Sequence, residues 1–119
     1  LKKLTKGQME AEISNKIIQF EKEHMGRGPT EAKTFLLEDM VLVRLKNVLT
    51  PAEHQLAKTN EGKGLIKQVR VQLFENARAI LEELITSVTG SSVVSIHSDI
   101  STVTGERVIV FILNKHMKE

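Results

Sequence analysis

From Thr50 to Gly90 the sequence keeps a helical period almost without pause, and no other feature constrains the fold so strongly. Thr50-Pro51-Ala52-Glu53 is a strong helix start. Thr50 caps, Pro51 takes a first-turn position where no N–H is needed, and Glu53 closes a capping box. Leu56 and Ala57 follow, and Lys58 to Gly64 then holds no large apolar residue. The stripe resumes through Leu65, Ile66, Val69, Leu73, Ala77, Ile80, Leu81, Leu84 and Val88, and Gly90 ends it. A continuous helix would be roughly 55–60 Å long at 1.5 Å per residue. Strands of seven or eight residues reach only about 25 Å. Either the Asn60–Gly64 region, where Gly62 and Gly64 each cost about 1 kcal/mol relative to Ala, bends the chain back, or a second subunit covers the overhang. A homodimer is the oligomer this overhang leads us to expect.

The remaining elements fall around that helix. Thr5 and Gln8 form a capping box, and Met9, Ile13, Ile17 and Phe20 make one apolar stripe opposite Glu12, Lys16 and Glu23. Gly26 stops this first helix, and Gly28-Pro29 reinforces the stop, because Pro29 pushes Gly28 away from helical geometry. Between Thr30 and Leu49 the period changes to that of two strands joined by a tight turn at Glu38-Asp39. Val41, Val43 and Leu45 share one face, with Arg44 and Lys46 on the other, so this second face is expected to be partly open to solvent. Val93, Val94 and Ile96 open a third strand that runs to about Asp99. A turn containing Thr104-Gly105 leads to a fourth, Arg107 to Leu113, whose unbroken apolar run reads as central and covered on both faces. Asn114 to Glu119 is polar and is expected to fray.

The order α-β-β-α-β-β defines an α+β two-layer sandwich with a mainly antiparallel four-stranded sheet packed on two helices, the second one long. It equals a ferredoxin-like unit with its first strand moved to the end, and the split-βαβ rule gives the sheet order 1-2-4-3. At 119 residues and 13.4 kDa the expectation is a single domain spanning residues 1–119. The absence of any apolar run near 20 residues argues against a membrane span, and Leu1 to Thr5 does not resemble a signal peptide. The cytoplasm is the expected compartment.

Composition narrows the chemistry. There is no cysteine, which removes disulfides, thiolate metal sites and thiol nucleophiles. The aromatic residues are four Phe, with no Tyr or Trp, so the stacking platform that usually holds single-stranded nucleic acid is hard to build. A pI near 9.0 reflects a net charge of only +2 in a chain with little that titrates between His and Lys. Nucleic acid is therefore not the expected partner.

Few residues suggest a site. His97, Ser98 and Asp99 are adjacent, but alternate strand residues face opposite ways, so Ser98 cannot serve His97 as a nucleophile. His97 and Asp99 share a face and could form a polar cluster with Glu106 or Arg107 across the hairpin. His24, His54, His97 and His116 have no metal-ligand spacing, and no metal or cofactor is expected. Arg27, in Gly26-Arg27-Gly28-Pro29, offers a cation in a flexible turn that could hold a small anion. Lys63, Lys67 and Arg70 stand at i, i+4, i+7 with Lys58 about a turn earlier, a row that could meet phosphates, headgroups or an acidic partner. An ordinary solvated helix face explains the same row.

Five segments in order carry a resemblance: Leu4-Thr5-Lys6-Gly7-Gln8, Met25-Gly26-Arg27-Gly28-Pro29, Leu49-Thr50-Pro51-Ala52-Glu53, Ile96-His97-Ser98-Asp99-Ile100-Ser101 and Thr104-Gly105-Glu106-Arg107-Val108-Ile109-Val110-Phe111. Together they resemble the MpsC-like family of small bacterial proteins, named after the C component of a sodium-translocating, membrane-potential-generating system. The resemblance implies genetic association with cation-translocating membrane subunits and supplies no catalytic residues. The expected function is that of a non-enzymatic accessory or regulatory protein with peripheral contact to membrane subunits. The alternative is an anion- or nucleic-acid-binding module using the basic row.

Overall fold

A computed structural model describes residues 4–115. The tail from 116 onward, with His116 and most of the segment expected to fray, lies outside the described residues, as do the first three. Helix α1 (Lys6–His24) starts with the Thr5–Gln8 capping box and ends at Met25, with Gly26 at φ +98° turning the chain. Strands β1 (Glu31–Leu37) and β2 (Met40–Lys46) form a hairpin about Glu38-Asp39. The Thr50–Gly90 stretch is divided into α2 (Pro51–Leu56), α3 (Asn60–Asn76) and α4 (Arg78–Thr89). Strands β3 (Val93–Ile100) and β4 (Arg107–Leu113) complete an antiparallel sheet of order β1-β2-β4-β3, as the split-βαβ rule predicts.

The long helix is thus bent, and the breaks explain each other. Thr59 caps α3 by accepting a hydrogen bond from the Gly62 N–H at 2.9 Å, so a new helix begins just ahead of the two glycines. Gly62 matters for close approach: a Cβ there would sit 1.7 Å from the Leu56 carbonyl oxygen that ends α2. The second break, at Ala77 (φ −99°, ψ 6°), contains neither Gly nor Pro. It falls between the residues α3 buries, Arg70 and Phe74, and those α4 buries, Leu81 and Ile85.

The inner face of the sheet carries the core. Leu36, Val41 and Phe111 lie in one cross-strand row, Thr34, Val43 and Ile109 in the next, and Leu45, Arg107 and Ile100 in the third. Helix α1 lays Met9, Ile13, Ile17 and Phe20 on this face beside Leu81 and Ile85 of α4. Helix α1 also protects the β1 edge. The Glu10 carboxylate accepts a hydrogen bond from the Leu36 N–H at 2.8 Å, and Ser14 and Thr34 hydroxyls meet at 2.8 Å.

The outer face differs from the sequence expectation. Strand β4 is central, between β2 and β3, but it is covered on one face only, since Val108, Val110 and Ile112 are half-buried in alternation with its core residues. Cross-strand rows Phe35–Leu42–Val110 and Leu37–Met40–Ile112 leave an apolar surface, and among the described residues no helix packs over it. Phe35 and Leu37 are 39% and 44% exposed.

Candidate functional site

Three charged side chains occupy positions that belong to buried stripes. Glu21 follows Ile13 and Ile17 at i+4 spacing on α1 and is fully buried. Arg70 lies between Ile66 and Phe74 on α3 and is 3% exposed. Arg107 begins the inward alternation Arg107, Ile109, Phe111, Leu113 on β4 and is 2% exposed. Because periodicity points all three inward, the fold brings them together under α3.

Arg70 is the best-satisfied member. Its Nε donates to Glu53 Oε2 at 2.8 Å, and its Nη2 donates to Glu53 Oε1 at 2.5 Å and to the Val48 carbonyl at 2.9 Å. Glu53 is at the same time the capping-box residue of α2, accepting from the Thr50 N–H at 2.9 Å. Partial burial by itself would raise the Glu53 pKa, but hydrogen bonds from Arg70 and Thr50 outweigh it and hold the carboxyl below the ordinary range. Arg70 Nη1 lies 3.9 Å from Glu21 and has no hydrogen-bond partner. Neither oxygen of Glu21 has one. Burial pushes the Glu21 carboxyl up, against the pull of Arg107 and Arg70.

Arg107 is the least satisfied. Among the described residues its guanidinium makes no hydrogen bond or ion pair, and Nε is buried without a partner. Its close contact is the Phe74 ring, 4.7 Å from the guanidinium carbon, a cation–π arrangement. Burial lowers its pKa, and the Glu21 charge works the other way.

Beside this cluster, α3 stands off from the β3 edge and leaves an open cavity of about 370 Å³. Arg70 and Arg107 lie in its wall, with Lys67 at the rim and Val71, Phe74 and Ile96 as apolar lining. Lys67 meets Asp99 at 3.5 Å across the mouth, while Asp99 also accepts from the Ile100 N–H at 2.8 Å.

The structure therefore sorts the residues singled out from sequence. Lys67 and Arg70 share the cavity with His97 and Asp99. Arg70 is not part of a solvated row, because Glu53 and Val48 hold it inside. Lys58 lies exposed in the turn between α2 and α3, and Lys63 is half-buried on α3, both outside the cavity lining. Arg27 lies outside the cavity lining and donates to the Leu49 carbonyl at 3.2 Å, next to the Val48 carbonyl that holds Arg70, which ties the α1–β1 turn to the start of α2. The polar cluster of His97, Asp99 and Glu106 is not assembled as a contact. His97 meets Ser95 at 3.2 Å, and Glu106 binds Arg44 at 2.6 and 3.1 Å. Glu21, Glu53 and Phe74 join the site without a motif that marks them in the sequence. For Glu21 the available signal was a charge in register with an apolar stripe.

Helix α3 also carries an exposed apolar stripe, Leu65, Val69 and Leu73, on its solvent side. No helix among the described residues is long and apolar enough to cross a membrane. No group of three or more His, Asp or Glu among them is placed to hold a metal ion.

Fold and site define an α+β two-layer protein whose sheet is open on one face and whose inner face ends in buried charge. The chain belongs to the family described as "Na+-translocating membrane potential-generating system (MpsC)", whose sequence pattern matches residues 5–115. It is 47% identical over 109 residues to the uncharacterized protein YbcI of Bacillus subtilis (strain 168), covering 92% of this chain and 88% of that protein. It is 27% identical over 113 residues to the uncharacterized protein YrhF of the same organism, covering 91% and 89%. No solved structure matches.

Proposed function

We propose that this chain is a non-enzymatic accessory or regulatory protein of a cation-translocating membrane system, and that it works as a homodimer through protein contact. The association with a membrane system rests on the family description. The observation that carries the contact reading is the apolar outer face of the sheet, built from Phe35, Leu37, Met40, Leu42, Val110 and Ile112. An apolar run such as that of β4 is characteristic of strands covered on both faces. In the monomer one face is covered. A second copy packed sheet to sheet, at the usual ~10 Å spacing, would cover the other and make the sequence pattern consistent.

Light scattering on the purified protein tests the dimer. The expected mass is twice 13.4 kDa, and Leu42→Lys or Val110→Lys should return it to the chain mass with the helical spectrum unchanged. A wild-type monomer at high protein concentration would sink the dimer reading. Capture from membranes solubilised in mild detergent tests the association. Recovery of cation-translocating subunits is expected, and their absence from a capture that retains the dimer would reject the accessory role.

A further inference from the structure

The buried charge beside α3 has a use that protein contact through the outer sheet face leaves unexplained. A buried guanidinium normally has its donors matched by acceptors, because leaving them unmatched costs more than a hydrogen bond yields. Arg70 follows this rule at Nε and Nη2 through Glu53 and Val48, with only Nη1 left unmatched, 3.9 Å from Glu21. Arg107 does not, although it is 2% exposed. Its carboxylate neighbour Glu21 offers charge without a hydrogen bond, and burial disfavours the ionised form of that carboxyl. The group therefore retains donors and positive charge, and it lies in the wall of a 370 Å³ cavity.

The remaining walls say what else the occupant needs. Val71, Phe74 and Ile96 are apolar, while Lys67 adds a second cation at the rim. The two carboxylates at the mouth are already matched. Asp99 is paired with Lys67, and Glu75 lies 3.7 Å from Arg78 on the next helix. We propose that the cavity between α3 and β3 binds a small organic anion, with its carboxylate or phosphate group on Arg107 and Lys67 and a short apolar body against Val71, Phe74 and Ile96. The ligand supplies acceptors to the Arg107 Nη groups, which have no hydrogen-bond partner among the described residues, while Nε stays enclosed. Lys67 keeps Asp99 as a partner while its other ammonium hydrogens reach the ligand, so the carboxylate at the mouth stays matched. The cavity takes no lining from Phe35, Leu37, Met40, Leu42, Val110 or Ile112, although His97 and Asp99 border the outer face, so dimerisation and anion binding can fail separately.

Hexanoate tests the proposal, with its neutral isostere hexanamide and with inorganic phosphate as comparisons. Binding is followed by calorimetry and by amide and arginine Nε–H shifts in nuclear magnetic resonance. Hexanoate should shift Ile96 to Ile100, Val71 and the Arg107 Nε–H, and it should bind about tenfold or more tightly than hexanamide, the margin expected for a charge-assisted contact. Phosphate should shift Arg107 and Lys67 but leave the Val71 amide in place. Val71→Glu sets a negative charge at a position 60% exposed, so the fold should persist while hexanoate binding is lost. Lys67→Ala should weaken it several-fold. Equal affinity for hexanoate and hexanamide, shifts confined to the outer sheet face, unchanged binding in Val71→Glu, or no binding at millimolar hexanoate would each overturn the proposal.

Discussion

The inner face of the sheet is closed at its two ends by different means. At the apolar end, Ile13, Ile17, Leu81 and Ile85 meet Val41 and Phe111, and all six are fully buried. Nothing there needs a specific partner, so shape and hydrophobic transfer suffice. At the charged end, α3 is held over Leu45, Ile100 and Arg107 by Arg70, Glu53 and Glu21, and it leaves a cavity. A well-packed apolar substitute would often serve stability as well or better than such charges. The contrast is between an end that packing alone explains and an end whose buried charges stability does not by itself require, which is where the proposed anion site lies.

Several substitutions separate the two ends, and the largest effect should come from the charged one. Arg70→Ala would leave Glu53 without its cation and Glu21 with Arg107 alone, and a loss of about 3–5 kcal/mol is expected in urea unfolding, as for other broken buried pairs. Arg70→Met should lose distinctly less if packing was the main contribution, which would erase the contrast. At the apolar end, Leu81→Ala should cost about 2–5 kcal/mol, set by how far α1 and α4 can collapse into the space. Thr59→Ala removes the cap that begins α3 and should cost about 1 kcal/mol. Hydrogen exchange should register this loss first in α3, and loss spread evenly over α1 would contradict the division into two ends.

The smallest effect at neutral pH should be the most diagnostic. Glu21 and Glu53 share Arg70 but shift in opposite directions from 4.5. The raised Glu21 pKa means its favourable contribution is complete below 4.5 and is lost as pH rises through the folded value. Glu21→Gln should therefore be neutral or slightly stabilising at pH 7, with the gain vanishing in acid. The lowered Glu53 pKa contributes stability above 4.5 that is lost as pH falls through its folded value. Glu53→Gln should destabilise at pH 7 and flatten the acid limb. Parallel pH slopes in the two variants would show that the carboxylates are not in the distinct environments described.

Much of this was legible before any coordinates. The capping boxes at Thr5 and Thr50, the hairpin turns, the strand faces and the sheet order follow from local hydrogen bonding, alternation and handedness, which act over a few residues or restrict topology strongly. The dimer argument from an overlong helix does not survive, because the chain bends at Thr59 and again at Ala77. The first bend was only partly legible. Helix propensity marks both glycines as weak points, whereas Gly62 lets the Leu56 carbonyl approach. The second had no local signal, since Ala77 is a good helix former and the turn follows from which residues α3 and α4 bury.

The basic row illustrates the same boundary. Spacing sets Lys63, Lys67 and Arg70 at i, i+4 and i+7, but spacing alone does not say what each faces: Lys63 is half-buried, Lys67 exposed and Arg70 buried. Sequence by itself determined the order α-β-β-α-β-β and set Glu21, Arg70 and Arg107 in register with apolar residues of their own elements, without saying that these directions point inward, because periodicity fixes direction only relative to each element's own stripe. Only the tertiary structure decided that these three directions converge, that Arg70 finds Glu53 while Arg107 finds no acceptor, and that a cavity opens beside them. Those outcomes depend on distances between residues far apart in the chain, which no local pattern encodes.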